Sequence, residues 1–267
     1  VVSVFGEKQS VVPPKWNTTN STAAAAAAAA ATTTSDRKPL SFYFVHTTDE
    51  ASFGVGNVRA VESVFFHHPN AQVTIFHKDA NFTLQPLKHI IDAGYTITLQ
   101  HHQYLGALIT SALESPSGVS TLNATLAHAF IAKIAEYEKT EFWYANEANF
   151  IRALIMYTRG GIYIDTDIII VKPMDDLRNS VGLERPAHAN NAVQIFDQYH
   201  SFTASLLNEM FASFSPKIWG HNGPKAVTRT LNKIVGCRGA FKNLNTTLSC
   251  PVNILPEVAF YPMRWNK

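Results

Sequence analysis

An α/β fold with a mostly parallel sheet is predicted by three observations. From residue 39 onward, runs rich in β-branched and aromatic residues alternate with helix-patterned segments, the order that builds a parallel sheet flanked by helices. Gly160 and Gly161 separate a long apolar helix pattern from the apolar run Ile162, Tyr163, Ile164. That run ends on Asp165-Thr166-Asp167, two carboxylates at a strand's carboxyl end, where open α/β sheets bind their ligands.

The elements follow in order. Residues 41–47 (SFYFVHT) read as the first strand, and residues 58–66 as a helix with Val58, Val61 and Phe65 on one side. Residues 72–77 (QVTIFH) form a second strand. A short helix over 87–93, closed by Gly94, leads to a third strand over 95–99 (YTITL). Residues 122–137 and 145–158 are helical, and Gly160-Gly161 ends the second of these, as glycines past a helix C-terminus commonly do. Strand is expected on both sides of the acidic turn, over 162–164 and 168–171, with Pro173 closing the region. A short strand over 192–196 and a helix over 200–211 come next. The last helix, 224–235, has Pro224 at its start and Gly236 past its end.

Residues 1–37 stand apart. They contain a nine-alanine run, Ala23 to Ala31, flanked by Thr and Ser. This low-complexity stretch reads as a stalk or linker. The remainder, 38–267, is long enough to bury roughly three quarters of its unfolded surface without staples. A net charge of +2 argues against nucleic acid or a membrane surface as the main partner. No stretch reaches the eighteen or so apolar residues of a spanning helix. Five Asn-x-Ser/Thr sequons occur, at Asn17, Asn20, Asn81, Asn123 and Asn245; they matter only if the chain is secreted. Cys237 and Cys250 either close a small loop in an oxidising lumen or remain thiols.

Chemistry concentrates in three places. Residues i and i+2 of an extended segment point to one side, so Asp165 and Asp167 are expected to face one spot and hold Mg²⁺ or Mn²⁺. Two carboxylates leave the remaining positions to phosphate oxygens and water. A lone D-x-D is more often solvated or capping, but the apolar flanks here favour a site. Asn149 and Arg152 interrupt an all-round apolar helix at i and i+3. A buried Arg needs an anionic partner: a structural carboxylate, the aspartate pair, or a phosphate-bearing donor. The third place is Trp219-Gly220-His221-Asn222-Gly223-Pro224. Its bland reading is a capping loop with a core Trp. Its functional reading is a Trp face for a sugar ring, with His and Asn for hydroxyls.

Four ordered blocks carry a resemblance: residues 149–177 (NFIRALIMYTRGGIYIDTDIIIVKPMDDL), 190–197 (NNAVQIFD), 218–230 (IWGHNGPKAVTRT) and 255–265 (LPEVAFYPMRW). Over about residues 39–265 the chain resembles the α-1,4-galactosyltransferase and α-1,4-N-acetylglucosaminyltransferase group of glycosyltransferase family 32. The WGHNGP form and Asn149 look closest to plant or algal members. The resemblance implies a GT-A fold for residues 38–267 and a Golgi-lumenal type II membrane protein whose anchor lies outside this sequence. It also implies retaining sugar transfer from a nucleotide donor, usually a UDP-sugar, with Mn²⁺ as the usual metal and a glycan acceptor. By position, Asp165 would contact the ribose and metal-bound water, and Asp167 would ligate the metal. Arg152 would contact the donor sugar or diphosphate, and Asn191 would face the donor sugar. His221 and Asn222 would border the donor or acceptor pocket, and Val45, His46 and Thr47 would lie beside the base.

Two departures are visible. Many members carry Asp at the position of Asn149, so donor choice is expected to differ. The chain also shows no late metal or diphosphate contact, so either its C-terminal end is expected to be incomplete or its metal binding to be weaker than in the family. As nucleophiles, only Glu184, Asp197 and Glu257 offer themselves; front-face attack, with the diphosphate accepting the proton, is the favoured route. Two alternatives stand beside this reading. A haloacid-dehalogenase-type phosphatase wants Thr or Val two residues after the second Asp, where this chain has Ile169. A degenerate glycosyltransferase would act as a glycan-binding or structural subunit.

Overall fold

The computed structural model describes residues 39–102, 104–114, 121–238 and 250–262. The predicted stalk, three sequons (Asn17, Asn20, Asn245) and Trp265 lie outside the described residues. Seven strands form one sheet in the order β3-β2-β1-β4-β6-β5-β7. They are β1 (Ser41–His46), β2 (Gln72–His77), β3 (Thr96–His101), β4 (Gly161–Ile164), β5 (Ser180–Arg185), β6 (His188–Phe196) and β7 (Asn253–Leu255). β6 alone runs against its neighbours β4 and β5; every other pairing is parallel. The helices are α1 (Val55–His67), α2 (Lys88–Asp92), α3 (Leu105–Leu113), α4 (Ala124–Ile131), α5 (Ile134–Tyr137), α6 (Trp143–Thr158), α7 (Ser201–Ala212), α8 (Pro224–Lys233) and α9 (Glu257–Phe260).

Strand alternation sorts the core onto two faces. Phe42, Phe44, Ile162 and Ile164 join α1 residues Val61, Val64 and Phe65 on one face. Tyr43, Val45 and Tyr163 join Phe150, Ile151 and Leu154 of α6 and Phe202 of α7 on the other. α6 packs against β1, β4, β6 and α7, and thirteen of its sixteen residues are buried, as an all-round apolar helix must be. Gly160 and Gly161 adopt φ of +67° and +99°. A Cβ on Gly160 would lie 2.5 Å from the Gln198 nitrogen, so the helix-to-strand turn needs glycine for space as well as conformation.

Several elements differ from expectation. Residues 168–171 form no strand: the main chain turns at the acidic motif, with Ile168 N–H donating to the Asp165 carbonyl at 3.0 Å. β6 fills the neighbouring place on β4 instead. The helix expected over 122–137 is two, α4 and α5, broken at Ala132 and Lys133. The sequence reading missed α3, β5, β7 and α9. Cys237 and Cys250 form a disulfide across a separation of 13 residues. Among the described residues no helix is long and apolar enough to cross a membrane.

Candidate active site

The acidic motif sits at the carboxyl end of β4. Asp165 N–H donates to the Ala192 carbonyl at 2.8 Å, extending the ladder one residue past the strand. Then the chain turns. The turn is tied to the start of α1: the Asn57 amide donates to the Thr166 carbonyl at 3.1 Å while accepting from Gly54 N–H at 2.8 Å. Because 165–168 is a turn, the period-two expectation fails, and the two carboxylates have different surroundings. Asp165 is part-buried, whereas Asp167 is exposed. Among the described residues Asp167 has no hydrogen bond or ion pair.

Asp165 is held from two sides. Arg152 Nη1 lies 2.9 Å from Asp165 Oδ1, and the Tyr163 hydroxyl donates to the same oxygen. Of the partners left open for Arg152, Asp165 is the carboxylate it meets; Asp167 does not touch it. The guanidinium also lies over the Tyr163 ring, 4.7 Å from its centre, and donates to the Asn191 carbonyl at 3.0 Å. Burial pushes the Asp165 carboxyl up, a push that Arg152 and Tyr163 oppose and the Asp167 charge reinforces. Burial works against the Arg152 charge, but Asp165 and Tyr163 outweigh it and keep the guanidinium protonated.

Asn146, Asn149 and Arg152 recur every third residue along α6 and form a polar stripe in its buried surface. Each meets a different segment. Asn149 Oδ1 accepts from the Asn191 amide at 2.7 Å. Asn146 Oδ1 accepts from the Asn222 amide at 2.9 Å. Gly223 packs so tightly on Asn149 that a Cβ would lie 2.6 Å from Asn149 Oδ1. The stripe thus links the loop before α8 to β6 and to the acidic turn.

The other predicted positions are mostly bonded within the frame. Asn222 also exchanges two bonds with the Ser215 main chain, and the His221 ring is bonded to the Ser213 carbonyl at 2.7 Å. Val45 and His46 are buried at the end of β1, and the His46 ring contacts the Asp49 carbonyl at 2.9 Å. Thr47 donates to the Tyr144 carbonyl at 3.0 Å. Trp219 is 59% exposed, which excludes its reading as a core residue. Of the nucleophile candidates, Asp197 lies beyond Phe196 at the opposite sheet edge, and Glu184 accepts from the Asn190 amide at 3.0 Å.

Three contributors escaped the sequence reading. Tyr163 precedes Asp165 by two residues, so its ring and that carboxylate share a side of the extended strand; that spacing was a usable signal. Gln194 is fully buried and donates to the Asn191 carbonyl at 3.2 Å. The Tyr261 hydroxyl accepts from Val193 N–H at 3.2 Å; burial, and then the Asp165 charge, push its ionisation far up. Nothing local in the sequence announces the last two.

The donor atoms suit a hard divalent cation. Asp167 is free, and Asp165 is fixed one step behind it. Among the described residues no three His, Cys, Asp or Glu cluster as ligands, so a cation here must share its shell with substrate phosphate and water.

A Rossmann-like sheet with a D-x-D turn at its carboxyl edge is the arrangement of the GT-A fold. Residues 54–184 match the glycosyltransferase sugar-binding region containing the DXD motif. Residues 195–267 match the α-1,4-glycosyltransferase conserved region. The two regions stand in succession and together span most of the chain, which is thereby similar to α-1,4-glycosyltransferases that carry the DXD motif. It is 27% identical over 231 residues to lactosylceramide 4-α-galactosyltransferase of Mus musculus, covering 85% of this chain and 60% of that protein. It is 25% identical over 214 residues to an uncharacterised protein of Arabidopsis thaliana, covering 79% and 30%, in line with the plant-like features noted above. The fold matches that of the solved PaToxG glycosyltransferase with a TM-score of 0.51 at 16% identity, covering 77% of this chain and 73% of that one. The chain spans about 60% of the length of the mouse relative.

Proposed function

We propose that this chain is a metal-dependent, retaining hexosyltransferase that moves a sugar from a UDP-sugar to a hydroxyl of a glycan, glycoprotein or glycolipid, in an α-1,4 linkage. One observation carries the reading: Asp165 is locked by Arg152 and Tyr163 beside the unpartnered Asp167, in a chain with both family regions. Asp167, with Asp165 behind it, would hold Mn²⁺ or Mg²⁺; when bound, such a cation stabilises negative charge on a departing diphosphate. Arg152 supplies a fixed positive charge toward the donor, pre-oriented by four contacts. Asn191 and Asn149 offer amides to sugar hydroxyls. Thr47 and the main chain at Val45 and His46 offer polar groups to the base, and His221 and Asn222 shape the loop that borders the pocket.

In the transfer, the bond from the anomeric carbon to the diphosphate oxygen breaks. The acceptor oxygen bonds to that carbon on the same face, and its proton passes to the departing diphosphate. The opposite-edge location of Asp197 and the bonded state of Glu184 favour this route over a covalent glycosyl-enzyme. The reading places the domain, residues 38–267, in the Golgi lumen as part of a type II membrane protein with residues 1–37 as stalk. The disulfide supports an oxidising compartment, and the exposed sequons at Asn81 and Asn123 are open to N-glycans.

The second reading is a glycan-binding subunit without turnover, favoured by the lack of a third metal ligand among the described residues. UDP-sugar hydrolysis and transfer with Mn²⁺ separate the two. The enzyme reading expects metal-dependent turnover that Asp167→Ala removes. Unchanged turnover in that variant sinks the assigned role of Asp167. A wild type that binds UDP-sugar and never consumes it supports the second reading.

A further inference from the structure

We infer that Tyr144 and Trp219, with Phe142 behind them, form a shelf on which a pyranose ring of the acceptor glycan stacks; this rests on the glycosyltransferase reading. Tyr144 is 49% exposed and Trp219 is 59% exposed. Their ring centres lie 6.4 Å apart, and Phe142 meets the Trp219 ring edge-on at 5.4 Å. Ile218 adds a further exposed apolar side chain beside Trp219. Large apolar residues grouped at a surface mark an interaction site rather than ordinary exposure.

The main chain beneath both rings is tied down. Tyr144 stands in the first turn of α6, and its carbonyl accepts from Thr47 at 3.0 Å. Trp219 belongs to the loop that Asn222 pins to Asn146 and Ser215. Anchoring the main chain beneath the rings lessens the freedom lost when a ligand stacks on them. The π-face of an aromatic ring is negative and suits the slightly positive C–H face of a pyranose, while the hydroxyls at the sugar's rim stay in water.

Location separates the two rings. Tyr144 is tied through its carbonyl to Thr47 at the β1 end, where the base is expected, whereas the Trp219 loop runs into α8, which packs on β6, the strand that carries Asn191, so the Trp219 side of the shelf faces the sugar end. Tyr144 lies eight residues before Arg152 on α6, about 12 Å along the axis at 1.5 Å per residue. An acceptor resting there is near enough to turn a hydroxyl toward a donor sugar held by Arg152 and Asn191.

The test is saturation-transfer NMR on the full chain with lactose, cellobiose and chitobiose as probes, in the presence of UDP and Mn²⁺. UDP affinity is measured in parallel by calorimetry. Saturation of the ring C–H protons of at least one disaccharide is expected in the wild type. Trp219→Ala and Tyr144→Ala should each weaken it at least about fivefold, the scale of one aromatic contact, and Trp219→Phe should retain it. UDP affinity should stay within twofold throughout. If the variants weaken UDP instead, the shelf stacks the base and the assignment falls. It also falls if they lose only phosphatidylcholine vesicle binding, or if no disaccharide contacts a UDP-binding wild type. A wild type that binds neither UDP nor sugar overturns the glycosyltransferase reading itself.

Discussion

Replacing Arg152 by Met keeps most of the apolar stem and removes the guanidinium, which tests the lock on Asp165 directly. Arg152 is 8% exposed, so the variant leaves Asp165 without its counter-charge. Breaking a buried ion pair from one side costs about 3–5 kcal/mol. The Asp165 side chain keeps 28% of its exposure, so water recovers part of that and the lower end, about 3 kcal/mol, is expected. The Asn191 carbonyl adds little to the loss, because Gln194 also donates to it at 3.2 Å. For a domain of this size each kcal/mol shifts Tm by roughly 2–4 °C, so Tm should fall by about 6–12 °C. Urea unfolding of Arg152→Met, Asp165→Asn and the double variant forms a cycle whose coupling should exceed about 1 kcal/mol. A loss under about 1 kcal/mol in Arg152→Met, or additive single effects, would refute the lock.

Gly223→Ala sets a Cβ 2.6 Å from the Asn149 amide, which is buried and bonded to Asn191; overpacking of this kind costs about 1–3 kcal/mol, readable by denaturant titration. Glu209 carries the clearest pH signature. Burial alone would raise its pKa, but hydrogen bonds from Arg229, Lys233 and Ser213 outweigh it and the net shift is downward. Its stabilisation is therefore fully present above the unfolded carboxylate value and is lost as pH falls through the lower folded value. Urea midpoints should drop on acidification below about pH 4.5 more steeply in the wild type than in Glu209→Gln. Reduction of Cys237–Cys250, or its double Ser variant, should cost about 3 kcal/mol by loop-closure entropy across the 13-residue separation, seen as a lower Tm with dithiothreitol.

Local pattern made the parallel half of the sheet legible. β1 and β2 were found within a residue, since each is a six-residue apolar run bounded by turn residues. Arg152 and Asn149 stood out because charge and amide inside an apolar helix demand partners. The aspartate pair was already among the partners open to Arg152, but the contacts of Arg152 and Asn149 with Asn191 were not legible, because they depend on the antiparallel entry of β6 beside β4, a tertiary event with no local mark. The same event explains the mistaken strand over 168–171. Its apolar residues are used for packing, as Ile170 is, with its N–H bonded to Ser63 Oγ at 2.9 Å. β5 escaped because Gly182 interrupts its run, and β7 because it is only three residues long. The exposure of Trp219 could not be read from a motif that looks equally like a cap and a platform.

The central claim is that Asp167 is free in order to hold a cation against a nucleotide diphosphate. Calorimetric titration of UDP with and without Mn²⁺, on the wild type and on Asp167→Asn, tests it most directly. Asp167 is exposed and unpartnered, so the variant should keep its stability within about 0.5 kcal/mol. The account predicts UDP binding that needs Mn²⁺ in the wild type and is lost in the variant. UDP binding of equal strength with and without metal, or unchanged in Asp167→Asn, would contradict it.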